Sequence, residues 1–233
     1  MKPLLLDNQD ITTLAELGRA SLQIVHDLKN QINGLKLYAT FLRKRMERSQ
    51  RPQDEQETVK KLISGLDRAA GDMTTLVRLG RPIQLRRSRV DLGRILSEVL
   101  RNVPEFQISD TSVIVEGESA SLQGDFDAQA LSEALKAVTE GAVSLARIRG
   151  EDSPLSIHLR LDSGDDPSAI IEWRGVIIHD GADPFHSLNG SAGLRLALAA
   201  KIIEAHGGST DQEADKLRVR LKLSSGNVSM AAS

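Results

Sequence analysis

Between Leu14 and Leu42 the apolar residues return every three or four positions, which is the spacing of one side of a long helix. Written as heptads, Leu14, Leu17, Ile24, Leu28, Leu35, Tyr38 and Leu42 take the a and d places, with Ser21 and Gln31 as polar interruptions. Val25, Ile32 and Ala39 fill the neighbouring e place and widen the stripe to the breadth of a bundle face. Asp10 or Thr12 is placed to cap the start. The polar stretch SQRPQDEQ at 49–56 reads as a turn around Pro52. A second helix follows, with Val59, Leu62, Leu66, Ala69, Met73 and Leu76 at a and d and Ile63, Ala70 and Val77 at e; it stops near Gly80, with Pro82 just beyond. Residues 1–80 therefore make a helical hairpin whose stripe is too broad for the hairpin alone to bury. A second copy, completing a four-helix bundle, is the economical cover, so a homodimer is expected.

After a basic connector at 81–89, RPIQLRRSR, the period changes. VDLGRILSEVL (90–100) reads as a short helix, SVIVEGE and ASLQGD as strands, and DAQALSEALKAVTEGAVSLARI (127–148) as a helix. LSIHLRLD and AIIEWRG alternate as strands do. SAGLRLALAAKIIEAHGG is a helix closed by paired glycines, and LRVRLKLS is a last strand. The whole is an α+β chain, in which region 90–224 forms a mixed sandwich with helices on one sheet face. Residues 225–233 read as a disordered tail.

Composition removes several function classes. The absence of cysteine excludes disulfides and thiolate metal sites. Aromatic residues make up 3% of the chain, too few for a base-stacking platform. A formal charge of −2 gives no electrostatic reason to expect nucleic acid or an anionic membrane. No apolar run is long enough to span a bilayer, and MKPLLLDNQD lacks the pattern of a signal peptide, so the expected location is the cytoplasm.

The candidate chemistry lies in IVHDLKNQINGLKL at 24–37. With Ile24 at d and Leu28 at a, His26 falls at f, the place farthest from the apolar seam. Asp27 is at g, and Asn30 sits one turn along the face of His26. An exposed imidazole beside a carboxylate and an amide has the parts for phosphoryl transfer. The ring nitrogen is the nucleophile, Asp27 takes or orients its proton, and Asn30 positions a water for hydrolysis.

That stretch, followed by a second helix and an α/β region, resembles the phosphoacceptor hairpin of bacterial two-component sensor histidine kinases. The family motif runs His-Glu/Asp-Leu-Lys/Arg-Asn/Thr-Pro, and His26, Asp27, Leu28, Lys29 and Asn30 match it in order. Gln31 stands where proline is usual. The resemblance implies that His26 carries the phosphoryl group, that Asp27 assists proton transfer and that Asn30 aligns the water that dephosphorylates a receiver. It implies a response-regulator receiver domain as partner, and a histidine-kinase-ATPase-like sandwich after the hairpin. The usual proline removes a backbone hydrogen bond and bends the helix, whereas Gln31 lets it run straight.

The resemblance extends to about residue 224, yet the family's nucleotide motifs arrive altered. Where asparagines face Mg²⁺ and phosphate, this chain has Ala137 and Gly141, with Glu140 turned about 100° from Gly141. Where an aspartate accepts the adenine amino group stands Trp173, and the second glycine of that motif is Ile177. A rival register uses Asp180-Gly181-Ala182, several residues beyond the strand. In the last glycine-rich motif Arg195 replaces a glycine whose role is close approach to phosphate. About 14 residues, Ile177 to Gly190, are left for a lid. No bound cofactor is expected on this reading; ATP and Mg²⁺ belong to the alternative, a divergent but active kinase. A third alternative is a non-catalytic pseudokinase regulator or receiver phosphatase.

The other histidines carry simpler expectations. His158 reads as a half-exposed strand residue. His206 lies at a helix C-terminus, where the dipole favours an imidazolium. His179 and His186 flank an irregular stretch with Asp180 and Asp183, without the ligand pattern of a metal site.

Overall fold

The computed structural model describes residues 8–48, 52–103, 112–116, 122–146, 155–162, 166–176 and 183–224. The tail at 225–233 and the segment that holds Ile177, His179 and Asp180-Gly181-Ala182 lie outside them. The chain divides into two units, Met1–Pro82 and Ile83–Ser233.

The first unit is a hairpin of α1 (Asn8–Arg48) and α2 (Gln53–Leu79). Asp10 and Thr12 fall within the first turns of α1 and do not cap it, because the helix has already begun by Asn8. The helix passes through Gln31 without a break, since glutamine keeps the backbone N–H that proline lacks. Acidic Asp54 and Glu55 suit the positive end of α2, which stops at Gly80. A Cβ on Gly80 would fall 2.5 Å from the Leu22 side chain, and Lys36 pairs with Asp67. These two contacts set an antiparallel register that brings His26 level with the last turns of α2.

The seam inside the hairpin differs from the a and d stripe. Ala39 is 2% exposed, and Leu22, Val25 and Ile32 are half-buried, so the e positions of α1, with Leu22 at b, face α2. Ile24, Leu28, Leu35, Tyr38 and Leu42 remain exposed, Tyr38 by 68%. The cause is breadth: one neighbouring helix covers only part of a stripe wider than about 100°.

The second unit runs β1 (Ser88–Asp91), α3 (Leu92–Arg101), β2 (Ser112–Glu116), β3 (Gln123–Phe126), α4 (Ala128–Ala146), β4 (Ser156–Asp162), β5 (Ser168–Arg174), α5 (Gly190–Ala205), β6 (Ser209–Glu213) and β7 (Lys216–Lys222). β1 and β3 pair antiparallel, and the main sheet has the order β2-β4-β5-β7-β6. Only β2 and β4 run parallel there.

Two elements depart from the sequence reading. Ser88 to Asp91 are a strand, where a connector and a helix start were expected; Asp91 then caps α3 by accepting the Arg94 N–H at 3.0 Å. β6, STDQE, carries no apolar side chain and so gives no periodic signal; it forms because β7 supplies its ladder.

Leu217, Val219 and Leu221 of β7 lie in register with Trp173, Ile171 and Ala169 of β5, and all six are fully buried. The Trp173 indole donates to Thr139 of α4, which fixes this as the helix-covered face. The opposite face is ionic. Glu172 accepts from Arg174 at 2.6 Å and from Arg218 at 3.1 Å, while Arg218 also reaches Glu213 at 2.5 Å. Burial alone would raise the Glu172 carboxyl; the hydrogen bonds from Arg174 and Arg218 outweigh it and hold the group below its usual value.

α5 ends where Gly207 takes φ +79°. A Cβ on Gly208 would fall 2.4 Å from the Arg220 carbonyl oxygen, so only glycine fits between the helix end and β7.

Candidate functional site

The site on α1 follows from helix geometry. Residues three and four apart share a face, so Gln23, His26, Asp27 and Asn30 come together without any tertiary contact. The His26 and Asp27 side chains are 51% and 59% exposed, with Nδ1 of the ring 3.7 Å from Oδ1 of the carboxylate. The Asn30 amide, Nδ2, lies 3.4 Å from the same ring nitrogen. Gln23, which sequence reasoning passed over, donates Nε2 to Asp27 Oδ1 at 3.0 Å. Its i, i+4 spacing to Asp27 was the signal that would have found it. An accessible ring nitrogen, a carboxylate and an amide thus share one wet face of α1.

In the second unit two of the positions expected to meet a nucleotide meet other side chains of the same domain: Trp173 meets Thr139, and Gly141 lies against Leu196. Trp173 is fully buried, and its Nε1 donates to Thr139 Oγ1 at 3.1 Å. The Thr139 hydroxyl in turn donates to the Leu135 carbonyl at 2.8 Å, so the polar groups of this contact are satisfied internally. A Cβ on Gly141 would lie 2.9 Å from the Leu196 side chain, which packs α5 against α4 at that point. Gly193 is as tight, a Cβ there falling 2.7 Å from the Ser187 carbonyl oxygen. Ala137 is half-buried and offers no donor or ligand, Arg195 is exposed, and Val176 and Phe185 are buried. Glu140 reaches Lys136 at 3.8 Å and lies apart from any carboxylate cluster.

This set differs from the nucleotide-binding pattern that the resemblance implies. The residue at the base position is an indole committed to Thr139, the metal-facing positions carry no oxygen ligand, and α4 and α5 are in side-chain contact. Among the described residues no group of three His, Asp or Glu side chains could hold a cation.

Two histidines depart from their sequence readings. His158 is 7% exposed, because β4 lies inside the sheet and the ring stands in register with Glu172 on the ionic face. His206 is 4% exposed; its Nδ1–H donates to Ile202 O at 2.8 Å, and Nε2 accepts the Asp127 N–H at 3.1 Å. Burial pushes its pKa down and Arg87 adds to this, against the opposing Ile202 contact and Asp127. The ring is neutral, so the dipole-held imidazolium is corrected: desolvation wins. His186 pairs with Asp183 at 2.6 Å on the surface.

Among the described residues no helix is long and apolar enough to cross a membrane. No family model and no curated protein matches the sequence. Solved structures do match. Full-length ShkA in complex with AMPPNP is 16% identical over 89% of this chain, with a TM-score of 0.66. The Acinetobacter baumannii histidine kinase AdeS is 18% identical over 82% of this chain and 96% of its own, with a TM-score of 0.55. This chain spans about half the length of ShkA, 47%. The likeness shows the fold: a histidine-kinase core, with a helical hairpin followed by an ATPase-like α+β domain.

Proposed function

We propose that this chain is a phosphotransfer protein of two-component signalling, exchanging a phosphoryl group between His26 and the aspartate of a response-regulator receiver domain. The observation that carries the reading is a contrast. The acceptor face on α1 is open, while at the positions where the resemblance puts ATP contacts Trp173 is bonded to Thr139 and Gly141 lies against Leu196.

The transfer uses only groups of this chain and its partner. The lone pair of His26 Nε2 attacks the phosphorus of the aspartyl phosphate, the N–P bond forms, and the P–O bond to the partner's carboxylate breaks. The carboxylate leaves with the electron pair, and the ring, still protonated on Nδ1, becomes cationic. Asp27 stabilises that charge from its side of the ring, and reversal returns the group to a receiver. Asn30, one turn along, directs water when the outcome is hydrolysis. Leu37 and Phe41, exposed by 56% and 61% on the continuation of the His26 face, supply apolar area for the receiver. The exposed stripe of Ile24, Leu28, Leu35 and Leu42 is the face a second copy covers, giving a dimeric four-helix bundle.

The test is transfer from a panel of phosphorylated receivers, beside incubation with labelled ATP and Mg²⁺. The reading requires label on His26 from a receiver, none in His26→Ala, and none from ATP. Label arriving from ATP would establish the divergent kinase in its place. If Asn30→Ala slows loss of receiver phosphate more than it slows transfer, the physiological direction is dephosphorylation.

A further inference from the structure

The Asp27 oxygen nearest the ring is also the oxygen that Gln23 holds. Gln23 Nε2 donates to Oδ1 at 3.0 Å, and Oδ1 is the atom 3.7 Å from His26 Nδ1. We infer that Gln23 is a positioning residue for phosphoryl transfer: it fixes the Asp27 carboxylate at the imidazole and so selects the tautomer that is nucleophilic at Nε2. The inference rests on the phosphotransfer reading above.

Two amides compete over one ring. Attack through Nε2 needs its lone pair free, so the ring proton must sit on Nδ1. Asn30 works against this, because its amide N–H, 3.4 Å from Nδ1, is satisfied only when Nδ1 carries no proton. A proton on Nδ1 is favoured instead by negative charge on that side, and Oδ1 of Asp27 supplies it from 3.7 Å, as a charge contact and not a hydrogen bond. A carboxylate 59% exposed, left to itself, spreads over several rotamers, many of them pointing away from the ring. The hydrogen bond from Gln23 removes those rotamers without adding charge. Gln23 and Asn30 thus bracket the His–Asp pair from the two sides, the first favouring the reactive tautomer and the second the resting one.

A Gln–Asp pair at i, i+4 also strengthens a helix, so the test must separate the two roles. Alanine, glutamate and lysine are all strong helix formers, and lysine alone keeps a donor. The full chain is treated with phosphoramidate, in which His26 Nε2 attacks phosphorus, the P–N bond breaks and ammonia leaves. Phosphohistidine is followed by ³¹P NMR, with His26→Ala as control and thermal unfolding run on every variant. Gln23→Ala is expected to slow labelling about fivefold and Gln23→Glu about tenfold, while Gln23→Lys recovers to within about twofold of wild type. Ring ¹⁵N shifts of His26 move toward the Nε2–H tautomer in the first two. Equal rates in all three variants, or losses that track helix content, overturn the inference while leaving the transfer reading in place. A wild-type chain that takes no label at His26 removes both.

Discussion

Thr139→Val is a nearly volume-neutral change, which makes it a clean probe of whether the space under β5 is dry. Trp173 and Thr139 are both fully buried, and the indole N–H has the threonine oxygen at 3.1 Å as its acceptor. Valine keeps the shape and removes the acceptor, leaving a buried donor unpaired at a cost of about 1–3 kcal/mol. Replacing the hydroxyl by a methyl returns somewhat less than about 1 kcal/mol of apolar burial. The net expectation is a loss of about 1–2 kcal/mol. Trp173→Phe removes the donor and opens a small cavity, at about 1–3 kcal/mol. The double variant should lose less than the sum by about 1 kcal/mol, because once both partners are gone nothing is left unpaired. Urea unfolding of the full chain, followed by circular dichroism, measures all four proteins. Fluorescence adds a local signal, since Trp173 is the single tryptophan of the sequence. If Thr139→Val unfolds within about 0.3 kcal/mol of wild type, or the two changes simply add, water is reaching the indole. An open cleft of the kind a nucleotide needs would then be present, and the packed reading would be wrong.

In the proposed dimer Leu35, 55% exposed in one chain, lies at the interface, so Leu35→Asp should weaken association at least about tenfold, with helix content kept. Light scattering over a concentration series checks it, and an unchanged mass would place the dimer contact elsewhere. His206 should make the second unit acid-sensitive. Its pKa is lowered on folding from 6.5, so its contribution is complete above pH 6.5 and is lost as pH falls from there through the folded value. Unfolding midpoints of wild type and His206→Ala across that window should converge as pH drops, and parallel curves would show that the ring does not titrate with folding.

Periodicity made the hairpin legible and the stop at Gly80 fell where chain chemistry put it, but α2 already begins at Gln53 and takes in the last four residues of the stretch read as a turn at 49–56. It gave the width of the apolar stripe but not which half faces α2, because that depends on how the two helices roll against each other. The strands with aliphatic alternation, β4, β5 and β7, were readable. β6 was not, since STDQE owes its conformation to a neighbour and not to its own residues. His206 shows the same limit at one residue: sequence places it at a helix end, but only the fold brings the Asp127 N–H to its second nitrogen. The four-residue face around His26 needed no fold at all, and even so Gln23 escaped notice, because a motif directs attention to the residues it names.

The unbroken run of α1 through Gln31 has a mechanical consequence. A proline-bent helix has a soft point that absorbs torsion, so the two halves keep independent bearings. Here the helix is continuous, and the angle between His26 and the apolar stripe is set by residue count alone. One residue inserted between His26 and Leu35 would turn the histidine by about 100° against that stripe.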